Sequence, residues 1–507
     1  MNEKVILKSI NNFIIKVEGR FNYKQNQFFK INDKTKAFVL SANETSANLI
    51  ISNQKNKLLI GQEILPIENN FIETKQEFFG NIIDINNKIV TQNNLKNGES
   101  KSFGFAKIFN KARGINERIY LNKPLTTGIL GIDLFTPIGR GQRELIVGDR
   151  KTGKTTIALS AAINNKNDEK LKVIYASIGQ KTTSVSEVYQ LFKNHNILDK
   201  IMIIAASSDN SYEQFLLPYI AMAHAENLAK NNYDVLLILD DLTKHANIYR
   251  EISLLIDRPA GREAYPGDIF FIHSKLLERS GNFKNEGSIT TLPIVETIGG
   301  DITSFISSNI ISITDGQIVT STDFFNKGII PAINYSVSVS RTGSAVQKPE
   351  IGKISKSLFK IYNNYQKNIS LKDIKFNLSK EISSLLSRGK ILNNFLTQTD
   401  FNLYDENMIL ILGKIVIWNT FNNNPYSQES LDFILKLFEK NELAKTVKKY
   451  IEFNEVNDDK LFRDFVHCAL NDFYKYRNYD IKINTRYTFK EINKKEIAEY
   501  LGETNAR

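Results

Sequence analysis

Gly148, Gly153, Lys154 and Thr155 stand at the spacing G-x-x-x-x-G-K-[ST] within Gly148-Asp149-Arg150-Lys151-Thr152-Gly153-Lys154-Thr155. A loop rich in free backbone N–H groups that opens into a helix N-terminus is a cradle for a polyphosphate. Lys154 supplies a point charge for the β- and γ-phosphates, and the Thr155 hydroxyl supplies an oxygen for Mg²⁺. That chemistry requires a strand before the loop and a helix after it. Leu145-Ile146-Val147 reads as the strand, and Thr156-Ile157-Ala158-Leu159-Ser160-Ala161-Ala162 reads as the helix. A second element belongs with the first: Val235-Leu236-Leu237-Ile238-Leu239 runs into Asp240-Asp241, a buried strand ending in carboxylates. Asp240 is predicted to hold Mg²⁺ through water, and Asp241 to cap the helix beginning near Leu242.

The elements that must position these residues fall into three stretches. Residues 1–75 carry short apolar runs at Phe13–Val17, Phe28–Ile31, Ala37–Leu40, Leu49–Ile51 and Leu58–Ile60, which predict a small β-barrel of five or six strands. Residues 76–350 alternate apolar strands with helical segments and predict a mostly parallel α/β phosphate-loop domain. Residues 351–507 change period. Leu461, Phe462, Phe465, Val466, Ala469, Leu470 and Phe473 recur at three- and four-residue spacing, as in one helix of an α-helical bundle.

Composition narrows the function classes. The chain has 507 residues and a formal charge of +11, but its lysines are spread along its whole length, so nucleic acid is not an expected partner. One cysteine, Cys468, excludes an internal disulfide and suits a reducing cytoplasm. The N-terminus has no long apolar run, and Met408–Trp418 is short and broken by Lys414, so neither spans a bilayer.

Beyond the phosphate loop, Pro137-Ile138-Gly139-Arg140-Gly141-Gln142-Arg143-Glu144-Leu145-Ile146-Val147-Gly148-Asp149-Arg150 resembles the α subunit of F-type ATP synthases. So do Arg262–Asp268, Leu276–Arg279, Ile311–Gln317 and Ser338–Ala345; the likeness is strong over 125–350, looser in the barrel and weak in the C-terminal bundle. The resemblance implies an alternating ring of α- and β-type subunits around a central rotating shaft, cytoplasmic and peripheral on the inner face of the membrane, with membrane association only through the complex. It implies that ATP or ADP is bound with Mg²⁺ by Gly148–Thr155 and Thr156, with Gln180, Pro331 and Gln398 completing the site and Thr155 and Asp240 at the metal.

In the β subunits of this family a glutamate after the next strand positions the attacking water. Here the matching segment is Tyr175-Ala176-Ser177-Ile178-Gly179-Gln180-Lys181, and the neutral amide of Gln180 is no base. The chain is therefore expected to bind nucleotide without turning it over alone. By the same resemblance Arg341, with Ser312 as a weaker candidate, serves a neighbouring subunit's catalytic site as an arginine finger. Two departures touch the base pocket: Ile330 precedes Pro331 where the family usually has arginine, and Gln398-Thr399-Asp400 keeps only the first of two glutamines. The chain starts almost directly at the barrel, where α subunits carry an extension that holds the peripheral stalk. The expectation is a diverged ATP-hydrolysing motor without the usual stalk, similar to the additional ATP synthase-like ATPases of some wall-less bacteria, including forms linked to gliding. A homohexameric nucleic-acid translocase is the alternative; it needs a catalytic glutamate of its own, which Gln180 does not provide.

Overall fold

The computed structural model describes residues 4–52, 58–67, 70–91, 100–369, 380–399, 401, 403–421, 424, 426–452 and 459–502. Its contacts group the chain into two units, 1–127 with 136–346, and 128–135 with 347–507.

The first unit begins with six strands: β1 (Val5–Asn11), β2 (Ile14–Glu18), β3 (Phe28–Asn32), β4 (Thr35–Ala42), β5 (Ser46–Ile51) and β6 (Glu63–Ile67). They close into a barrel in the order β1-β2-β5-β4-β3-β6, with β6 pairing back to β1. Closure leaves no free edge, and inward residues such as Leu7, Ile15, Val17, Phe29 and Leu49 are fully buried. The run Leu58–Ile60 is not a strand, contrary to expectation. Leu59 and Ile60 are about 70% exposed, and the backbone turns there through Gly61 (φ 86°) before β6 starts.

Next come β7 (Phe71–Lys75), β8 (Ile82–Ile83), β9 (Ser102–Lys107), β10 (Pro124–Leu125) and β11 (Ile138–Gly139), with β7 paired to β9 and β10 to β11. The remaining strands are β12 (Glu144–Gly148), β13 (Leu171–Ile178), β14 (Ile201–Ala206), β15 (Asp234–Asp240), β16 (Ile289–Glu296), β17 (Gly316–Val319) and β18 (Val339–Ser340). Together with β8 they form an eight-stranded sheet in the order β18-β17-β12-β16-β15-β13-β14-β8, parallel except for β18. The continuous apolar runs Leu145–Val147 and Val235–Leu239 are buried on both faces, as a parallel sheet covered by helices requires. One cover, the helix Ser211–Lys230, is buried nearly all round and also joins sheet to barrel, where Phe215 stacks on Phe38 at 5.4 Å.

The second unit is helical. In Pro349–Asn368 the residues Ile351, Ile354, Leu358, Tyr362 and Tyr365 form the buried stripe. In Asp459–Arg477 the stripe is Phe462, Phe465, Val466, Ala469, Leu470 and Phe473, as expected, except that Leu461 lies at its edge and is exposed. A short helix from upstream, Leu130–Phe135, belongs to this unit, with Phe135 against Phe359 at 5.4 Å. Among the described residues no helix is long and apolar enough to cross a membrane.

Candidate nucleotide site

The parallel strands β12, β13, β15 and β16 all deliver their carboxyl ends to one rim of the sheet, where ligands of open α/β folds sit. The rim carries Gly148 at the end of β12, Gln180 just after β13, Asp240 at the end of β15 and Glu296 at the end of β16.

Two glycines shape the loop. Gly148 has φ 156° and lies so near Thr320 that an added Cβ would come within 2.0 Å of its hydroxyl. Gly153, at φ 86°, is the left-handed cap from which the helix Lys154–Asn164 starts. The loop between them is pinned by side chains that sequence reasoning missed. The Asp149 carboxylate accepts from Thr297 Oγ1 (2.6 Å), the Gly300 amide (2.8 Å) and Thr322 Oγ1 (2.8 Å). Burial opposes that charge, but these donors outweigh it and hold the Asp149 carboxyl below its usual range. Thr152 bonds Thr320 at 2.6 Å. Arg150 reaches outward into solvent and pairs with Glu296 at 2.9 Å, while Lys151 is exposed at φ 61°.

Lys154 is buried, and its ammonium donates to the Asp149 carbonyl at 2.5 Å. Burial pulls its pKa down, and Glu296, Asp241, Asp240 and Asp149 work in the opposite sense by favouring the charge. Thr155 donates its hydroxyl to Asp240 Oδ2 at 2.8 Å, and Thr156 lies half-buried in the same first turn. Asp240 also accepts from Tyr175 Oη (2.8 Å, to Oδ2) and from Gln180 Nε2 (3.1 Å, to Oδ1). Burial, reinforced by Asp240, raises the Tyr175 phenol well above its usual value, so it stays a neutral donor. Asp241 takes the role of helix cap, accepting from the Lys244 amide at 2.8 Å. Its carboxyl is pushed up to about 7, first by burial and then by the charge of Asp240.

This donor set fits Mg²⁺. A hydroxyl and a carboxylate converge beside a phosphate loop, and among the described residues no cluster of three or more His, Cys, Asp or Glu side chains forms a cage. Mg²⁺ is usually held by one or two protein oxygens together with phosphate and water.

The other candidates lie elsewhere. Pro331 follows a cis peptide bond and is half-buried beyond β17, within Thr320–Ile333, which closes on itself through a bridge between its ends. Gln398 belongs to the helical unit, where its amide accepts from Leu130 N (2.7 Å) and donates to Gly128 O (3.0 Å); Asp400 lies outside the described residues. Arg341 is exposed just after β18, its guanidinium donating to Thr314 O (3.3 Å) and Ile311 O (3.5 Å). Its backbone is firmly set: Arg341 N donates to Asp315 O at 2.9 Å, and the preceding Ser340 hydroxyl donates to Pro137 O and accepts from Gln142 Nε2. Ser312 is exposed near the end of the helix Phe305–Ile313, with its hydroxyl turned back to Asn309 O at 2.6 Å.

Tyr175 carried one signal that the sequence reading passed over. It is a phenol in a mostly apolar buried strand, and a buried phenol needs a partner for its hydroxyl.

Comparison with known proteins gives a consistent picture. Residues 128–340 match the ATP synthase alpha/beta family, nucleotide-binding domain. ATP synthase subunit alpha 2 of Mycoplasmopsis pulmonis is 45% identical over 436 residues, covering 85% of each chain. ATP synthase subunit alpha 1 of the same organism is 37% identical, over 89% of this chain and 85% of its own length. ATP synthase subunit alpha of Carsonella ruddii is 38% identical, over 84% and 90% respectively.

Proposed function

This chain belongs to the ATP synthase alpha/beta family as an α-type subunit of a rotary ATPase, and on that premise we propose that it binds Mg-ATP or Mg-ADP in its own loop, leaves it intact, and lends Arg341 to the site of an adjacent β-type subunit. The observation that carries the non-catalytic reading is the contact of Gln180 Nε2 with Asp240 Oδ1 at 3.1 Å. The residue standing where the β-type subunit keeps its water-positioning carboxylate is an amide engaged as a donor, with no basic group to take a proton.

In this reading the loop amides and the helix start at Lys154 bind the polyphosphate, and the Lys154 ammonium exchanges the Asp149 carbonyl for phosphate oxygens. Thr155 and Asp240 would hold Mg²⁺ beside the phosphates, and the ion would supply charge neutralisation there. Arg341 presents a planar fork of donors from just after β18, where its own amide and the preceding Ser340 hydroxyl are tied down, so its reach into a second subunit costs little reorganisation. Partners are β-type subunits in an alternating ring and a central shaft. A diverged, ATP-hydrolysing motor is part of this proposal.

The test is purification of the complex through this chain from its own cells, with identification of what comes along. A β-type subunit at equal stoichiometry, together with a shaft protein, is expected. A ring of this chain alone that hydrolyses ATP when given RNA refutes the assignment.

A further inference from the structure

We propose that Tyr175 is a positioning residue for the metal side of this nucleotide site: its hydroxyl fixes the Asp240 carboxylate in the orientation that serves Mg²⁺. The inference rests on the reading of the loop as a Mg-nucleotide site and goes beyond it in assigning a role to a residue that touches neither ion nor phosphate.

Three donors converge on Asp240 from separate elements. Thr155 comes from the helix after the loop, Tyr175 from within β13 and Gln180 from the turn that follows β13. Of these, Thr155 is shared with the ion, and Gln180 is only half-buried at the rim. Tyr175 is 2% exposed and lies wholly inside the sheet's covering. Its place is set by register: Tyr175 is paired with Ile238 and Ser177 with Asp240, so the long phenol spans one two-residue step along the strands to reach the carboxylate. A hydroxyl donating to a carboxylate oxygen is a charge-assisted bond, and one anchored in the sheet's interior does not move when the loop loads. Such outer partners orient a metal's oxygen ligand as much as the ligand's own backbone does.

The full-length chain carrying Tyr175→Phe tests this, since phenylalanine keeps the ring and removes only the donor. ATP affinity is measured by titration calorimetry with excess Mg²⁺ and again with excess EDTA, in parent and variant, with a thermal melt to confirm the fold. The variant should lose about tenfold or more in affinity with Mg²⁺ and stay within about twofold of the parent in EDTA. In an Asp240→Asn background the same substitution should change the Mg²⁺ affinity by less than about twofold, because the group it positions is gone. Equal losses in Mg²⁺ and EDTA would reduce Tyr175 to a packing residue, and a parent-like response in both would leave it without a role; either overturns the inference. Failure of the parent itself to bind Mg-ATP would overturn the nucleotide site and this inference with it.

Discussion

Arg341→Ala should cost the assembled complex its turnover while leaving this chain almost as stable as before. The guanidinium's contacts within its own chain are two long hydrogen bonds, 3.3 Å to Thr314 O and 3.5 Å to Ile311 O, made by an exposed side chain. Bonds of that kind contribute about 1 kcal/mol together at most, so the fold loses little. The backbone of Arg341 is held by other groups, through Asp315 O and the Ser340 hydroxyl, and survives the truncation. An arginine finger supplied to a neighbouring site is worth about 10³-fold or more in turnover, corresponding to about 4 kcal/mol of transition-state stabilisation. The two magnitudes differ enough to separate the roles. Arg341→Lys keeps the charge but loses the planar fork, and should fall as well, with alanine at least as severe. The assay is phosphate release and nucleotide occupancy measured on the same reconstituted complex, beside a thermal melt. Occupancy and assembly should persist, because the contact strengthens mainly as charge develops. Near-normal turnover would remove Arg341 from the mechanism, and failure to assemble would recast it as an interface residue.

Lys154→Ala should weaken nucleotide binding to this chain about tenfold or more, the worth of a charge-assisted contact to phosphate. The complex should keep most of its hydrolysis, and total loss in a correctly assembled mutant would contradict the separation of binding from reacting sites. Acid stability offers an independent check, because four of the five histidines are held neutral by burial: His224 down to about 3, His245 and His467 to about 4, and His273 well below its usual value, the last also by His245. With folded values below the unfolded 6.5, the unfolded chain takes protons that the fold refuses. This stability is complete above about pH 6.5 and falls on acidification at about 1.4 kcal/mol per histidine per pH unit. His224→Gln, which removes one such group beside Thr74 and Asn87, should flatten the fall in unfolding midpoint between pH 6 and 4; an unchanged slope would refute the assignment.

The phosphate loop and its strand and helix were legible because the chemistry there is local: a backbone that must turn at Gly148 and Gly153 announces itself by residue type. Asp240 and Asp241 were separable for the same reason, one facing the loop and the other capping the next helix. What the sequence concealed is what the sheet order brings together. Thr297 and Thr322 lie far from Asp149 along the chain, and Thr320 far from Thr152, and these pairs meet only because β16 and β17 flank β12. Leu58–Ile60 misled because an apolar triplet satisfies strand propensity whether or not a partner strand runs beside it. The place of Ser312, in the last turn of a helix, was not legible either, since Phe305–Ile313 is too short and apolar for periodicity to separate helix from strand.

The most direct test of the central claim is to give the isolated full-length chain, free of any β-type subunit, Mg-ATP and to follow binding by calorimetry and phosphate release in the same sample. One nucleotide bound per chain with no sustained phosphate release is the expected result, since the loop, Thr155 and Asp240 are in place and Gln180 is an amide. Steady hydrolysis by the chain alone, or no binding at all, would contradict it.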